Sequence, residues 1–261
     1  GHDCGVPVSF AAFNPGLRAE LARSVGEAAP LWTFANATTD LWWDFSDSST
    51  VTTGESDAIS GISDKSGNSN GGSQATASNQ PSLISSAHNG LDCARFSHTS
   101  AQFLNFASEL DEIRTVFWVI LRNSSLSSHA VNRGLLGHSS THHWHAFSGG
   151  VFQFAAASVK NGDFKLDGTD VDGVSTNIPT SLTVASILTT GNVEADNFAK
   201  DRAFTTTANR NWGGDLGELC IIESAWSTAD IQKGEGYLAH KWGLAGNLPS
   251  DHPYKSEAPT Q

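Results

Sequence analysis

The residues best suited to chemistry are four histidines, His138, His142, His143 and His145, gathered around Trp144. On a β-strand His143 and His145 project to one face and Trp144 to the other, so the two imidazoles could share a metal or line a ligand site. The segment itself supplies no carboxylate or thiol to complete a ligand set. A polar turn over 139–142 running into an edge strand accounts for the same residues without an ion. A second candidate is Asp167-Gly168-Thr169-Asp170-Val171-Asp172-Gly173, where Asp170 and Asp172 stand two apart as in calcium loops. The Glu that closes an EF-hand loop is missing, and Asp/Gly turns between strands are common without any ion. Sugar binding calls for exposed aromatic faces with polar neighbours. Trp144 and Trp212 are flanked by polar residues, whereas Trp42, Trp118, Trp226 and Trp242 sit in apolar or motif contexts and belong to a core. The glycan-contact candidates are therefore Trp144, His143, His145 and Trp212.

Composition narrows the partners. The 261 residues carry 27 acidic and 15 basic side chains, a formal charge of -12, with no Lys/Arg-rich run. Binding a phosphate backbone needs clustered cations, so nucleic acid is not an expected partner. No stretch approaches the ~20 apolar residues of a membrane span, and the N-terminus lacks the basic and apolar regions of a secretory signal. Membrane insertion and export are not expected. The odd cysteine count, Cys4, Cys93 and Cys220, leaves at least one thiol free. Cys93 and Cys220 read as small buried hydrophobes on strands, and a bridge between them stays open.

These groups need elements to hold them. Residues 1–40 differ from the rest: Asn14-Pro15 supplies an N-cap and a first-turn Pro, and Leu17, Leu21 and Val25 recur at helical spacing before Gly26. So short a helix must dock on its own domain or on another subunit, which makes Leu17, Leu21 and Val25 the assembly candidates. From Leu41 the chain is rich in Gly, Ser, Thr and Asn with short apolar runs between turns, the all-β pattern. The unbroken Val116-Phe117-Trp118-Val119-Ile120-Leu121 predicts a strand covered on both faces. Phe152, Phe154 and Ala156 predict a strand with one less buried face. Leu182, Val184 and Leu219 to Ile222 predict further strands, and residues 54–80 a long loop region. Ser227-Thr228-Ala229-Asp230 forms a capping box ahead of Ile231, Leu238 and Trp242, predicting a C-terminal helix that ends at Gly243.

Five stretches carry a resemblance. They are Leu41-Trp42-Trp43-Asp44-Phe45-Ser46-Asp47; Asp64-Lys65-Ser66-Gly67-Asn68 running on to Gln80-Pro81-Ser82-Leu83; Asn89-Gly90-Leu91 with Arg95-Phe96; Gly214-Asp215-Leu216-Gly217-Glu218-Leu219; and the tail Gly236-Tyr237-Leu238-Ala239-His240-Lys241-Trp242-Gly243-Leu244 with Asn247-Leu248-Pro249 and His252-Pro253-Tyr254. In order and spacing, residues 41–255 resemble the concanavalin A-like lectin superfamily, in particular the laminin G-like domains of phage virion and marine bacterial surface proteins. The resemblance implies an antiparallel β-sandwich (jelly roll), taken as 41–261 and closed by a short C-terminal helix; the N-terminal segment of 1–40 with its one short helix lies outside the resemblance. It says little about function, because the superfamily hosts lectins, glycosidases, lyases and structural modules.

Glycoside cleavage needs two carboxylates flanking the scissile bond. Glu109-Leu110-Asp111-Glu112-Ile113-Arg114 is similar to the Glu-x-Asp-x-x-Glu strand of the superfamily's glucanases, but Arg114 stands in the last carboxylate's place. A lyase would want a Tyr or His base, and Tyr237 and Tyr254 both belong to the tail motif. No catalytic residue is expected. The resemblance, the absent signal and the unpaired thiol together point to a virion structural or adhesion module, such as a head decoration, spike or tail fibre, made in a host cytoplasm and displayed on the virion surface. Its expected partners are other virion proteins, copies of itself and cell-surface polysaccharide. The alternative is an extracellular carbohydrate-binding module or polysaccharide-cleaving enzyme. No cofactor is expected, with calcium entering only by analogy with the superfamily.

Overall fold

The computed structural model describes residues 29–124, 134–146, 149–202 and 211–261. Two long strands organise it, β7 (Leu104–Arg122) and β11 (Thr183–Phe198), which pair antiparallel from Thr183 opposite Ile120 to Phe198 opposite Leu104. Register shifts between Leu188 and Asn197 interrupt the ladder, and such bulges bend and twist the strands that carry them. On one side of the bend β7 is flanked by β12 (Gly214–Ile222), then β6 (Leu91–Phe96) and β5 (Ser82–His88), while β11 is flanked by β9 (Asp163–Leu166) and β10 (Thr169–Asp170). On the other side β7 meets β4 (Gly72–Ser73), β3 (Ile59–Ile62) and β2 (Val51–Thr53), and β11 meets β8 (Leu136–Gly137). β1 (Leu41–Asp44) completes the edge of β12. The result is a 12-stranded, curled antiparallel sheet, so the protein is all-β.

The curl encloses a core that includes Trp43, Phe45, Phe96, Trp118, Ile120, Trp144, Phe152 and Trp212. A second apolar layer on the outer face contains Phe117, Val119, Val184, Cys220, Ile231, Leu238 and Trp242. The run 116–121 therefore needs no polar break: Val116, Trp118 and Ile120 point inward and Phe117 and Val119 outward, both ways into apolar packing. Trp32 and Phe34 join the outer layer, and Leu31 bridges to Thr260. Packing of this body thus begins before Leu41.

Among the described residues two α-helices accompany the sheet, α1 (Ala157–Lys160) and α2 (Thr228–Lys241). Ser227 caps α2 by accepting the Asp230 N–H. At the other end the Gly243 N–H reaches the His240 carbonyl and the Leu244 N–H the Ala239 carbonyl, a Schellman closure that Gly243 permits at φ +70°. Gly234 brings α2 onto the sheet: a Cβ there would stand 2.8 Å from the Phe117 ring.

Three sequence expectations need correction or fall away. Residues 151–155 form turns, not a strand, because Phe152 folds inward onto Trp144 and Phe164 while Phe154 stays half exposed. The segment 54–80 contains the strands β3 and β4; Ile59 and Ile62 anchor β3 in the core despite its Ser/Gly-rich surroundings. Cys93 and Cys220 are both buried free thiols. The helix predicted around Leu17, Leu21 and Val25 lies outside the described residues.

Candidate functional site

The motif residues converge on a buried polar hub. Asp44 on β1 stands directly opposite Glu218 on β12, an arrangement that like charges disfavour. Lys241 of α2 resolves it, with Nζ 2.8 Å from Asp44 Oδ2 and 2.7 Å from Glu218 Oε2. Lys65 adds a second ammonium 3.0 Å from Asp44 and 2.8 Å from Asp47. Glu218 also accepts from Trp42 Nε1, Trp242 Nε1 and the Tyr237 hydroxyl. Burial pushes the Glu218 carboxyl up against the pull of Lys241. At Asp44 burial acts the same way, but Lys241, Ser46 and Lys65 prevail and hold it below the ordinary value. Asp64 closes the neighbouring loop by accepting the Trp42, Ser66 and Asn70 N–H groups. The network's charged groups are paired with one another.

The tryptophans expected at a sugar site are interior. Trp144 is 1% exposed, packs edge-on against Trp118 and Phe152, and donates Nε1 to the Glu194 carbonyl. Trp212 is 0% exposed between Phe96 and Phe198. Neither offers a face for stacking. Their polar neighbours mark turns from which the indoles point into the core. His143 and His145 do not share a strand face either. The chain turns at 143–144, His145 is buried with Nε2 2.9 Å from Asp201, and the half-buried His143 lies 3.6 Å from Glu194. Burial lowers the His143 pKa against the raising effect of Glu194; at His142 burial and the neighbouring His145, with which it stacks, act in the same direction.

Carboxylates missing from the histidine segment arrive from other strands. Glu109 of β7 and Glu194 of β11 bring oxygens within 4.8 Å of each other and of a His138 nitrogen. Proton placement speaks against an ion there. His138 Nδ1 accepts the Ser140 and Thr141 N–H groups at 3.2 Å, which leaves the neutral ring's proton on Nε2 for donation to Glu109 at 3.2 Å. A metal-bound imidazole has the opposite pattern, one nitrogen on the ion and an N–H on the other. The cluster is a hydrogen-bonded brace between β7, β11 and the 138–143 turn. Asp170 and Asp172 do not come together as a calcium set: Asp170 pairs with Lys165, while Asp172 accepts from the Val174 N–H and the Ser175 hydroxyl. In the acidic run, Arg114 donates to the Thr189 carbonyl and the Asp111 and Glu112 N–H groups to Glu223.

A different site emerges at the end of the sheet where β6, β12 and β7 lie side by side. Arg95, Asp215 and Leu121 form a cross-strand row. Asp215 is 2% exposed and receives a bidentate contact from Arg95, Nε at 2.7 Å and Nη2 at 2.8 Å, together with His88 Nε2 at 2.8 Å. Burial alone would raise this carboxyl, yet Arg95 and His88 hold it below its ordinary value. Beside the row opens a cleft of about 280 Å³ lined by Arg95, His88, Arg122, Asn123, Ser124 and Thr180 among others. Arg122 Nε donates to the Ile178 carbonyl at 3.1 Å, and no carboxylate pairs with its guanidinium among the described residues. A larger apolar groove, about 450 Å³, lies at Leu31, Trp32, Tyr237 and Pro259, but its polar liners His240 and Lys241 are turned to Tyr254 and the hub. Sequence reasoning missed the cleft because its cations stand far apart in the chain. Searches of family models, curated proteins and solved structures found no match for this chain.

Proposed function

We propose that this protein is a non-catalytic, lectin-like adhesion module: a β-sandwich of the concanavalin A-like, laminin G-like type, displayed on a particle such as a phage virion and binding cell-surface glycans. The observation that carries this reading is the polar cleft beside Asp215, where side chains from four adjacent strands and the segment before β11 converge on one opening. Binding sites of this kind combine a rigid frame with a few fixed polar groups. Here Asp215 fixes Arg95 and His88, and the Ile178 carbonyl fixes Arg122. The curled sheet, which folds its two halves over one core, supports the sandwich description.

Two measurements test the proposal. The purified chain is expected to bind polysaccharides on a glycan array without releasing reducing ends, and the protein is expected among the components of purified virions by mass spectrometry. Reducing-sugar release would replace it with an enzymatic function. No binding to any glycan, together with absence from particles, would sink it.

A further inference from the structure

We infer that the cleft beside Asp215 selects acidic polysaccharides, with Arg122 and Arg95 gripping a carboxylate or sulfate group on the sugar. The inference rests on the glycan-binding reading above and sharpens it.

Charge gives the first reason. The chain carries -12 overall, yet the only acidic residue lining this cleft among the described residues is Asp215, and that carboxylate is buried and taken by Arg95 and His88. The lining therefore holds two guanidinium groups against one carboxylate. Geometry gives the second. The Arg95 contact to Asp215 uses Nε and Nη2, which leaves Nη1 on a guanidinium whose plane is locked by two hydrogen bonds. The side chain is 50% exposed and lines the cleft. Among the described residues Arg122 is anchored through Nε alone, leaving both terminal nitrogens of its fork. A planar fork with several donors matches the spread of oxygens on a carboxylate or sulfate better than a point charge does.

Desolvation gives the third. Burial depresses the Arg122 pKa with no opposing carboxylate partner resolved, the pattern of a cation held partly out of water. An anion entering the cleft offsets that cost and gains from the lowered local dielectric. Thr180 and Ser124 line the same opening and offer hydroxyl groups suited to the neutral hydroxyls of the sugar ring. Asp215 serves as a positioning residue, since its buried carboxylate is taken up in holding Arg95 and His88.

The test compares three polymers on the full chain: a polyuronate, a sulfated polysaccharide and a neutral glucan. Acidic polymers are expected to bind at least about tenfold more tightly than the neutral one, with affinity falling as salt rises. Arg122→Ala is expected to abolish that preference, and Arg122→Lys to restore only part of it, because a point charge lacks the fork. Among the described residues the Arg122 side chain reaches only a backbone carbonyl, so its removal leaves no carboxylate there unpaired, and an unchanged melting temperature verifies the fold. Uronate against sulfate identifies which anion is preferred; binding of either one with loss in Arg122→Ala supports the inference. Equal binding of acidic polymers by Arg122→Ala and the wild type overturns it, as does a preference for the neutral glucan, which would leave the adhesion reading standing. Failure of all three polymers to bind overturns the inference alone, since the adhesion reading falls only if the glycan array and the virion analysis are negative as well.

Discussion

Asp44 and Glu218 face each other across β1 and β12, and the Lys241 ammonium bridges them at 2.8 Å and 2.7 Å. Two carboxylates at that spacing repel unless a cation is built in. Removing the cation strands both, so Lys241→Met is expected to destabilise the protein by about 3–5 kcal/mol. The urea midpoint measures this. Lys65 also contacts Asp44, so a loss well under 1 kcal/mol would show that Lys65 and water suffice and that the bridge is not what joins α2 to the sheet.

Trp144 separates a core role from a ligand role. Its indole fills the space between Trp118 and Phe152, so Trp144→Ala leaves a cavity and is expected to cost about 3–5 kcal/mol. Thermal denaturation gives the cost, and glycan affinity measured on the folded fraction gives the rest. Weakened glycan binding with an unchanged melting temperature would return Trp144 to the sugar site.

Gly217 tests how closely α2 and its C-cap are seated. A Cβ at Gly217 would meet the Trp242 ring at 2.5 Å, and that ring also donates to Glu218. Gly217→Ala is expected to destabilise by about 1–3 kcal/mol through forced displacement of the indole. Near-UV circular dichroism should register the shift of Trp242 along with the lower melting temperature. A neutral substitution would mean the ring has room to move.

How far these positions could be read from the chain differs by kind. Periodicity was legible wherever one residue's environment decides its type: the unbroken apolar run 116–121 and the Ser227 cap of α2 both stand where expected. Phe152 and Phe154 mislead because alternation in sequence is the same whether a strand or a chain of turns buries one aromatic and exposes the next. Trp144 and Trp212 mislead for a related reason, since polar neighbours describe the local backbone's surroundings and not the direction of a large side chain. The cleft was illegible because it depends on pairing. Arg95 and Asp215 lie 120 positions apart and become neighbours only when β6 docks on β12. The resemblance motifs, by contrast, supply the frame: Trp42, Asp44, Lys65, Glu218, Tyr237, Lys241 and Trp242 all meet at the hub.

Acid should unfold the protein in two windows. His142 and His143 have lowered pKa values in the fold, so their contribution is present above the unfolded value of about 6.5 and is lost as pH falls through their folded values. His142 is exposed and His143 only half-buried, which keeps the step small. Asp44, Asp47 and Asp215 are also lowered, Asp47 to about 2. Their contribution is present above the ordinary value of 3.8 and lost as pH falls toward the folded values. Glu218, raised by burial, works in the opposite sense. Urea midpoints are therefore expected to drop slightly from pH 7 to 5 and steeply below about 4. The upper step should vanish in a His142→Gln/His143→Gln variant; if it persists there, other groups carry it.

Cys93 lies against the cleft's ionic row, close enough to His88 and Asp215 to suggest a thiol–imidazole pair. Its environment argues the other way. Burial pushes the thiol up, and the Asp215 carboxylate pushes it further, outweighing Arg95. A nucleophilic cysteine needs the reverse, a cationic surrounding that lowers the thiol and an open path to it. His88, moreover, directs Nε2 at Asp215. Cys220 is buried in the outer layer and raised by burial as well. In a Cys4→Ser background both thiols are therefore expected to resist a water-soluble disulfide reagent under native conditions and to react as two equivalents in denaturant. Rapid native labelling of Cys93 would show that the row beneath the cleft opens to solvent, and with it the Arg95 on which the proposed acidic-glycan contact depends.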